Sequence, residues 1–147
     1  DDARTARPIV DFLTMRGYDD PAVIQEHIPE ASSDIRAFVV GDEVVASMVR
    51  TAKNGDFRAN MHRGAEGETI KLTDDEIALA VRAAKAFELD IAGVDLVRSK
   101  RGTLVIEVNS NPGLTGITEV TGVDVAGKIV EYVVAHAQSR SSETGNA

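Results

Sequence analysis

Asp34 to Val40 and Val44 to Ala52 read as β runs, and only Gly41, Asp42 and Glu43 separate them. A connection that short makes a hairpin, with Gly41 supplying the positive φ of the tight turn. A second pair, Ile91 to Val97 and Thr103 to Val108, follows a helix with a clear start signal. Thr73, Asp74, Asp75 and Glu76 form a capping box: the Thr hydroxyl accepts from the first turn and Glu76 reaches back three residues later. Ile77, Ala80, Val81, Ala84 and Phe87 then mark one helical face. Hairpin, helix, hairpin and a last helix give an α+β order, with a mainly antiparallel sheet and helices packed on one face.

The flanking segments are read more coarsely. Ile9, Phe12 and Leu13 fall on one face of a first helix that Gly17 stops, and a short apolar strand runs from Val23 to Ile28. From Asn54 to Gly67 the chain has no period and three glycines, so it reads as a loop, a place where a rigid scaffold presents binding groups. After the turn-rich NSNPGLTG, the last element spans about Asp124 to Ala137, with Ala126, Ile129, Val130, Val133 and Ala137 on its inner stripe. The expected organisation is one domain over residues 1–137 and a flexible polar tail over 138–147.

Composition sets the class. With 147 residues, 43% hydrophobic and 27% charged, the chain suits one globular domain. Without cysteine it has no disulfide framework, thiol nucleophile or cysteine zinc site. Neither a transmembrane span nor a secretory signal is read, so a soluble cytoplasmic protein is expected. A net charge of −8 argues against DNA or an anionic membrane as partner. Yet between Arg50 and Gly64 stand Arg50, Lys53, Arg58 and Arg63 against Asp56 alone, a basic island suited to a small anion.

Asp95, Glu107 and Asn109 carry the chemistry. If Lys100, Arg101 and Gly102 form a three-residue loop, Ser99 faces Thr103, Val97 faces Val105 and Asp95 faces Glu107. Asn109 shares the face of Glu107 because side chains alternate along a strand. Two opposed carboxylates repel unless a cation lies between them, and hard oxygen donors without His or Cys favour Mg²⁺ or Mn²⁺, with phosphate and water completing the octahedron. Spacing alone leaves this open against a solvated acidic face on an exposed hairpin. Arg58, Asn60 and Arg63 invite the same comparison: a planar guanidinium suits phosphate, whereas pairing with Glu66 or Glu68 would be an ordinary surface ion pair.

Taken together, the motifs DIR (34–36), GDFR with Asn60 and HRG (55–64), AGVD (92–95), EVN with NPGL (107–114) and TG with DVAGK (121–128) resemble the C-terminal half of a RimK-type ATP-grasp ligase. That family adds glutamate to the C-terminus of a small-subunit ribosomal protein. The resemblance covers about Ile9 to Ala137. It implies that Asp95, Glu107 and Asn109 hold two magnesium or manganese ions, with Glu107 bridging. It also implies that Arg58, Ala59 and Asn60 line the ATP phosphates and that Arg58 stabilises the transferred phosphoryl group. Glu26 and His27 match the hinge strand bordering adenine, where His27 replaces the more usual aromatic residue, and Asp34 matches an acidic position at the ATP site. Thr118 stands where the family often has Glu.

The implied reaction is two-step: ATP phosphorylates a carboxylate, and the amine of glutamate or a similar amino acid displaces phosphate, the acceptor being a protein or peptide C-terminus. The nucleotide-binding lysines and glycine-rich lid of the family are not found in this sequence, so the chain alone is expected to be inactive. The alternative is a non-catalytic module for nucleotide binding or self-association as a homo-oligomer. GVDVAGKI (122–129) is rejected as a P-loop because Ile129 stands where Ser or Thr must bind Mg²⁺; Asp124 there reads as a helix cap and Lys128 as a solvated residue. His27, His62 and His136 make no zinc spacing.

Overall fold

A computed structural model of the protein describes residues 3–15, 25, 26, 28, 33–51 and 66–144. In chain order these form α1 (Ala3–Met15), β1 (Ser33–Val40), β2 (Glu43–Thr51), β3 (Glu66–Thr69), α2 (Asp74–Ala86), β4 (Ile91–Ser99), β5 (Gly102–Asn109), α3 (Thr115–Thr121) and α4 (Val125–Thr144). The five strands make one sheet in the order β3-β2-β1-β4-β5, every neighbouring pair antiparallel. The α+β class and antiparallel sheet are as expected. No described helix is long and apolar enough to cross a membrane.

The helices lie on both faces of the sheet, which corrects the expected one-sided packing. Along β1, Ile35, Ala37 and Val39 join Ala80 and Ala84 of α2 in one core cluster, with Ala92, Val94 and Leu96 of β4. The alternate residues Phe38 and Val40 join Ala46, Met48, Ile117 of α3 and Val125 of α4 in a second. Successive side chains point to opposite faces, so central strands that are apolar at both parities need a cover on each side.

The first hairpin forms with Gly41 at φ +60° as expected, but its turn has two residues rather than three: Val40 pairs with Glu43 across Gly41 and Asp42, and Glu43 begins β2. A Cβ on Gly41 would sit 2.5 Å from the Tyr132 ring of α4, so this turn is also where α4 reaches the sheet. The capping box of α2 is present in both directions. Phe87, however, is the residue that ends α2 and is 68% exposed, outside the buried stripe.

Other boundaries differ. Glu66 and Gly67, expected in the loop, begin the edge strand β3, which among the described residues pairs with β2 and has Glu68 and Thr69 exposed. Helix α3 replaces part of an expected turn region; its first-turn cap Leu114 makes no side-chain bond, and its only strong signal is Gly122 at φ +70° closing it. Helix α4 continues past Ala137 to Thr144, because no Gly or Pro stands between Ala137 and Gly145. Its inner stripe is Val125, Ile129 and Tyr132: Ile129 faces inward as expected, whereas Val130 and Val133, expected there too, are 60% and 51% exposed. Asp124 does cap it, accepting from Gly127 N at 2.9 Å, and Lys128 pairs with Glu131 at the surface. Ile9 and Phe12 of α1 are exposed. Of the expected strand at 23–28, Gln25, Glu26 and Ile28 are described and lie outside any strand.

Candidate functional site

The face covered by α3 and α4 has an apolar half and a polar half. At the parity of Phe38 and Val40, β1 also carries Asp34 and Arg36; at the parity of Ala46 and Met48, β2 carries Arg50; and at the parity of Gly93, β4 carries Asp95. Register then pairs opposite charges, with Asp34 across from Arg50 and Arg36 across from Asp95. Directly opposed residues on neighbouring strands have Cβ atoms about 4.5–5.5 Å apart, within reach of a side-chain ion pair.

Both pairs are two-pronged. Arg50 donates through Nε to Asp34 Oδ1 at 2.8 Å and through Nη2 to Asp34 Oδ2. Arg36 donates through Nε to Asp95 Oδ1 and through Nη2 to Asp95 Oδ2 at 2.8 Å. Arg50 Nη2 also reaches across β1 to Asp95 Oδ2 at 2.9 Å, which joins the four groups into one network. Asp95 is 4% and Arg50 7% exposed. Two acids and two guanidiniums cancel in charge, the condition for burying ions without leaving one unpaired. Burial pushes the Asp34 carboxyl above its ordinary pKa, and the Arg50 pair only partly offsets it. For Arg50 burial pulls the other way, but the two carboxylates together outweigh it and hold the guanidinium above its ordinary value.

Gly93 makes this packing fit. A Cβ there would meet Pro112 Cβ at 2.8 Å and both Cδ and Nη1 of Arg36 at 3.2 Å. The loop after β5 thus folds over the Arg36 side chain where β4 has no side chain of its own. In that loop, Asn111 N donates to Asn109 Oδ1 at 2.9 Å.

Asp95 stands opposite Glu107 as expected, but by another route. The turn has two residues, Lys100 and Arg101, so Ser99 pairs with Gly102, Val97 with Leu104 and Leu96 with Val105. The predicted pairs Ser99 with Thr103 and Val97 with Val105 are therefore corrected. A bulge then places Ile106 as an extra residue in β5, and the register resumes with Asp95 on Glu107 and Gly93 on Asn109. Without that extra residue's slip, Asp95 would oppose Ile106 and Glu107 would face α2.

Asp34, Asp95, Glu107 and Asn109 accordingly share one face. Glu107 is exposed and Asn109 half-buried. Glu26 lies toward the end of the sheet where β1 starts, its Oε2 accepting from Arg101 Nη2 at 2.9 Å in an exposed pair. His27, Arg58, Ala59 and Asn60 fall outside the described residues. Among the described residues no cluster of three or more His, Cys, Asp or Glu forms a metal centre. Two carboxylates and an amide oxygen on one face nevertheless fit a hard cation, since Mg²⁺ commonly takes one or two carboxylates and fills its octahedron from water and phosphate.

Arg36 and Arg50 are the residues sequence reading missed as members of this group. Their signal was the parity they share with Asp34 in strands otherwise apolar at that parity. On the opposite face, a cleft of about 590 Å³ at the start of α2 is lined by Glu76, Arg82, Arg98 and Thr103 among others and contains none of the candidate site residues.

Comparison with known proteins shows the family. The chain is 55% identical over 123 residues to a probable alpha-L-glutamate ligase of Picosynechococcus sp., covering 83% of this chain and 41% of that protein. It is 47% identical over 135 residues to the ribosomal protein bS6–L-glutamate ligase of Escherichia coli, covering 91% and 44%. It therefore spans less than half the length of these relatives. In fold it resembles the ATP-grasp ligase PsnB complexed with minimal precursor, with TM-score 0.61 and 28% identity over 77% of this chain and 36% of that one. A further PsnB structure, with a phosphomimetic precursor variant, Mg and ADP, gives TM-score 0.62 at 24% identity, covering 77% and 34%. Residues 3–133 match the RimK-like ATP-grasp domain, and the chain belongs to that family of ligases.

Proposed function

We propose that this chain supplies the ion- and phosphate-binding part of an ATP- and magnesium-dependent ligase site that adds glutamate, or a similar amino acid, to the C-terminus of a protein or peptide in the cytoplasm. The observation that carries this reading is the register of β4 on β5, which sets Asp95 opposite Glu107 with Asn109 on the same face. The relatives' names support glutamate as the amino acid and a protein as acceptor.

Asp95, Glu107 and Asn109 would hold two magnesium or manganese ions, with Glu107 between them. The ions, when bound, neutralise the charge on the ATP phosphates. Arg58, Ala59 and Asn60 would line those phosphates, and Arg58 would donate to the transferred phosphoryl group as its charge develops. Asp34 sits beside Arg50 at the ATP site, and Glu26 and His27 would border adenine, His27 through its backbone groups. The acceptor carboxylate oxygen attacks the γ-phosphorus and ADP leaves; the amine then attacks the acyl carbon, loses a proton and expels phosphate, leaving an amide. The chain's part is to position the reactants and balance their charge.

Calorimetry with ADP tests this on the 147-residue chain. Weak, magnesium-dependent binding that Asp95→Ala or Glu107→Ala abolishes is expected, with no ADP release from Mg-ATP, glutamate and acceptor peptide by the chain alone. Concentration-dependent self-association without any ADP binding would overturn the reading in favour of an association module.

A further inference from the structure

We propose that Arg36 is a positioning residue that occupies the Asp95 carboxylate until a divalent cation takes its place, so that ion binding at Asp95 is an exchange against a guanidinium. The proposal rests on the reading of Asp95 and Glu107 as ion ligands.

Three observations carry it. Arg36 engages both oxygens of Asp95, while Arg50 is already engaged two-pronged with Asp34 and touches Asp95 through one nitrogen only. Arg36 is therefore the group that fills the carboxylate. Asp95 is 4% exposed, so without an ion it needs a cationic partner to remain buried and charged. And Arg36 lies on β1, directly across from Asp95, whereas Glu107 opposes the same residue from β5 on the other side. Asp95 thus stands between a fixed cation and a second carboxylate, with β4 shared by both.

A magnesium-sized ion needs oxygen at about 2.0–2.1 Å, on a lone pair that a two-pronged guanidinium uses at about 2.8 Å. Both cannot use the same lone pairs of one carboxylate, and two cations close together on it repel. With Arg36 on both oxygens and Arg50 on Oδ2, one of the carboxylate's roughly four lone pairs is left, and an ion using it would sit against the guanidiniums, so the Arg36 contact loosens as the ion enters. Its guanidinium keeps a neutral, closed network in the ion-free protein and lowers the ion affinity of that state.

The direction of the effect separates this role from simple structural support. Loss of a supporting side chain weakens ligand binding; loss of a competing cation strengthens it. Mn²⁺ binding to the full 147-residue chain, without nucleotide, is measured from the EPR signal of free Mn²⁺, alongside melting temperatures with and without Mn²⁺. Arg36→Gln is expected to bind Mn²⁺ about tenfold more tightly than the unmodified chain, the effect of one neighbouring like charge. Its melting temperature without ion should fall and its gain on adding Mn²⁺ should be larger. Arg36→Lys, which keeps the charge but not the fork, should lie between; if Arg36→Gln does not fold, Arg36→Lys decides the question by the same sign. Glu107→Gln should lose binding. Binding that Glu107→Gln abolishes but neither Arg36 variant tightens overturns the exchange and leaves the ion site standing. No Mn²⁺ binding by any of the four proteins overturns both.

Discussion

Adding one methyl group at Gly93 tests whether the charged network and the loop after β5 are mechanically one unit. The new Cβ would lie 2.8 Å from Pro112 Cβ, where carbon atoms ordinarily meet at about 3.5–4.0 Å, so Pro112 must retreat by roughly 1 Å. It would also press on Cδ and Nη1 of Arg36 at 3.2 Å. Overpacking of this kind costs about 1–3 kcal/mol. A shift of Arg36 by even half an ångström would carry its 2.8 Å bond to Asp95 Oδ2 beyond the usual 2.7–3.2 Å range, and weakening a charge-assisted bond adds about 1 kcal/mol. Gly93→Ala should thus destabilise by about 2–4 kcal/mol, a loss of about 5–15 °C in melting temperature for a chain of this size. Gly113→Ala is the matched control, because a Cβ there meets nothing within 4 Å, and its effect should stay within about 0.5 kcal/mol. Thermal unfolding followed by circular dichroism reads both. In a Pro112→Gly background, where the opposing Cβ is gone, Gly93→Ala should cost measurably less. Equal melting temperatures for Gly93→Ala and Gly113→Ala would refute the reasoning.

Two other outcomes follow from the structure. Glu76, 4% exposed, accepts from Arg98 Nε at 2.7 Å, from Thr103 Oγ1 at 3.1 Å and from Thr73 N at 3.0 Å, and the Arg98 bond above all lowers its pKa from 4.5 to about 2. A depressed carboxylate stabilises the fold above about pH 4.5 and loses that contribution as pH falls toward 2. Arg98 is half-exposed, so solvent screening reduces the contribution to about 1–2 kcal/mol. Urea unfolding should find Glu76→Gln less stable than the unmodified chain at pH 6, with the gap narrowing toward pH 3; a constant gap counts against the assignment. Gly41→Ala meets both a positive φ and the Tyr132 ring at 2.5 Å, and should cost about 2–3 kcal/mol in the same measurement; a change below 0.5 kcal/mol would place α4 elsewhere.

Elements that bury something on a fixed period were readable from the chain. The strands β1, β2 and β4 and the helix α2 each carry a local signal: β runs, a positive-φ glycine at Gly41, or a capping box. β3 and α3 carry none that is decisive, since Glu68 and Thr69 of the edge strand are exposed and α3 fully buries Ile117 alone, with Val120 partly buried beside it. In α4 the difficulty is the reverse. Val125, Ile129, Val130, Val133 and Val134 spread over about half of the helix circumference, wider than the stripe that is buried, so periodicity alone does not choose the inner side, and the choice is made by the contact of Tyr132 with Gly41. For the site, Asp95 opposite Glu107 is a local hairpin relation and was legible even though the turn length and the bulge at Ile106 were not. Arg36 on Asp95 is a contact 59 residues apart, and depends on β4 returning beside β1, which no local pattern specifies.

That non-local step also explains why one sheet face is divided. Read along the residues that share the α3 and α4 side, β1 runs Asp34, Arg36, Phe38, Val40, and β2 runs back Ala46, Met48, Arg50. The apolar ends coincide because the strands are antiparallel and joined at Gly41, so α3 and α4 settle over Phe38, Val40, Ala46 and Met48 and gain nothing by extending further. The charged ends coincide for the same reason at the far end of the hairpin. Insertion of β4 on the other side of β1 brings Asp95 to Arg36, whose acidic neighbour within its own hairpin, Asp34, is already taken by Arg50. A buried guanidinium without a carboxylate would be costly, so Asp95 completes the core electrostatically while Glu107 and Asn109 on β5 remain turned to the same face with capacity to spare. The polar half of the face is therefore stable without a ligand and still presents the oxygen donors that a cation would need.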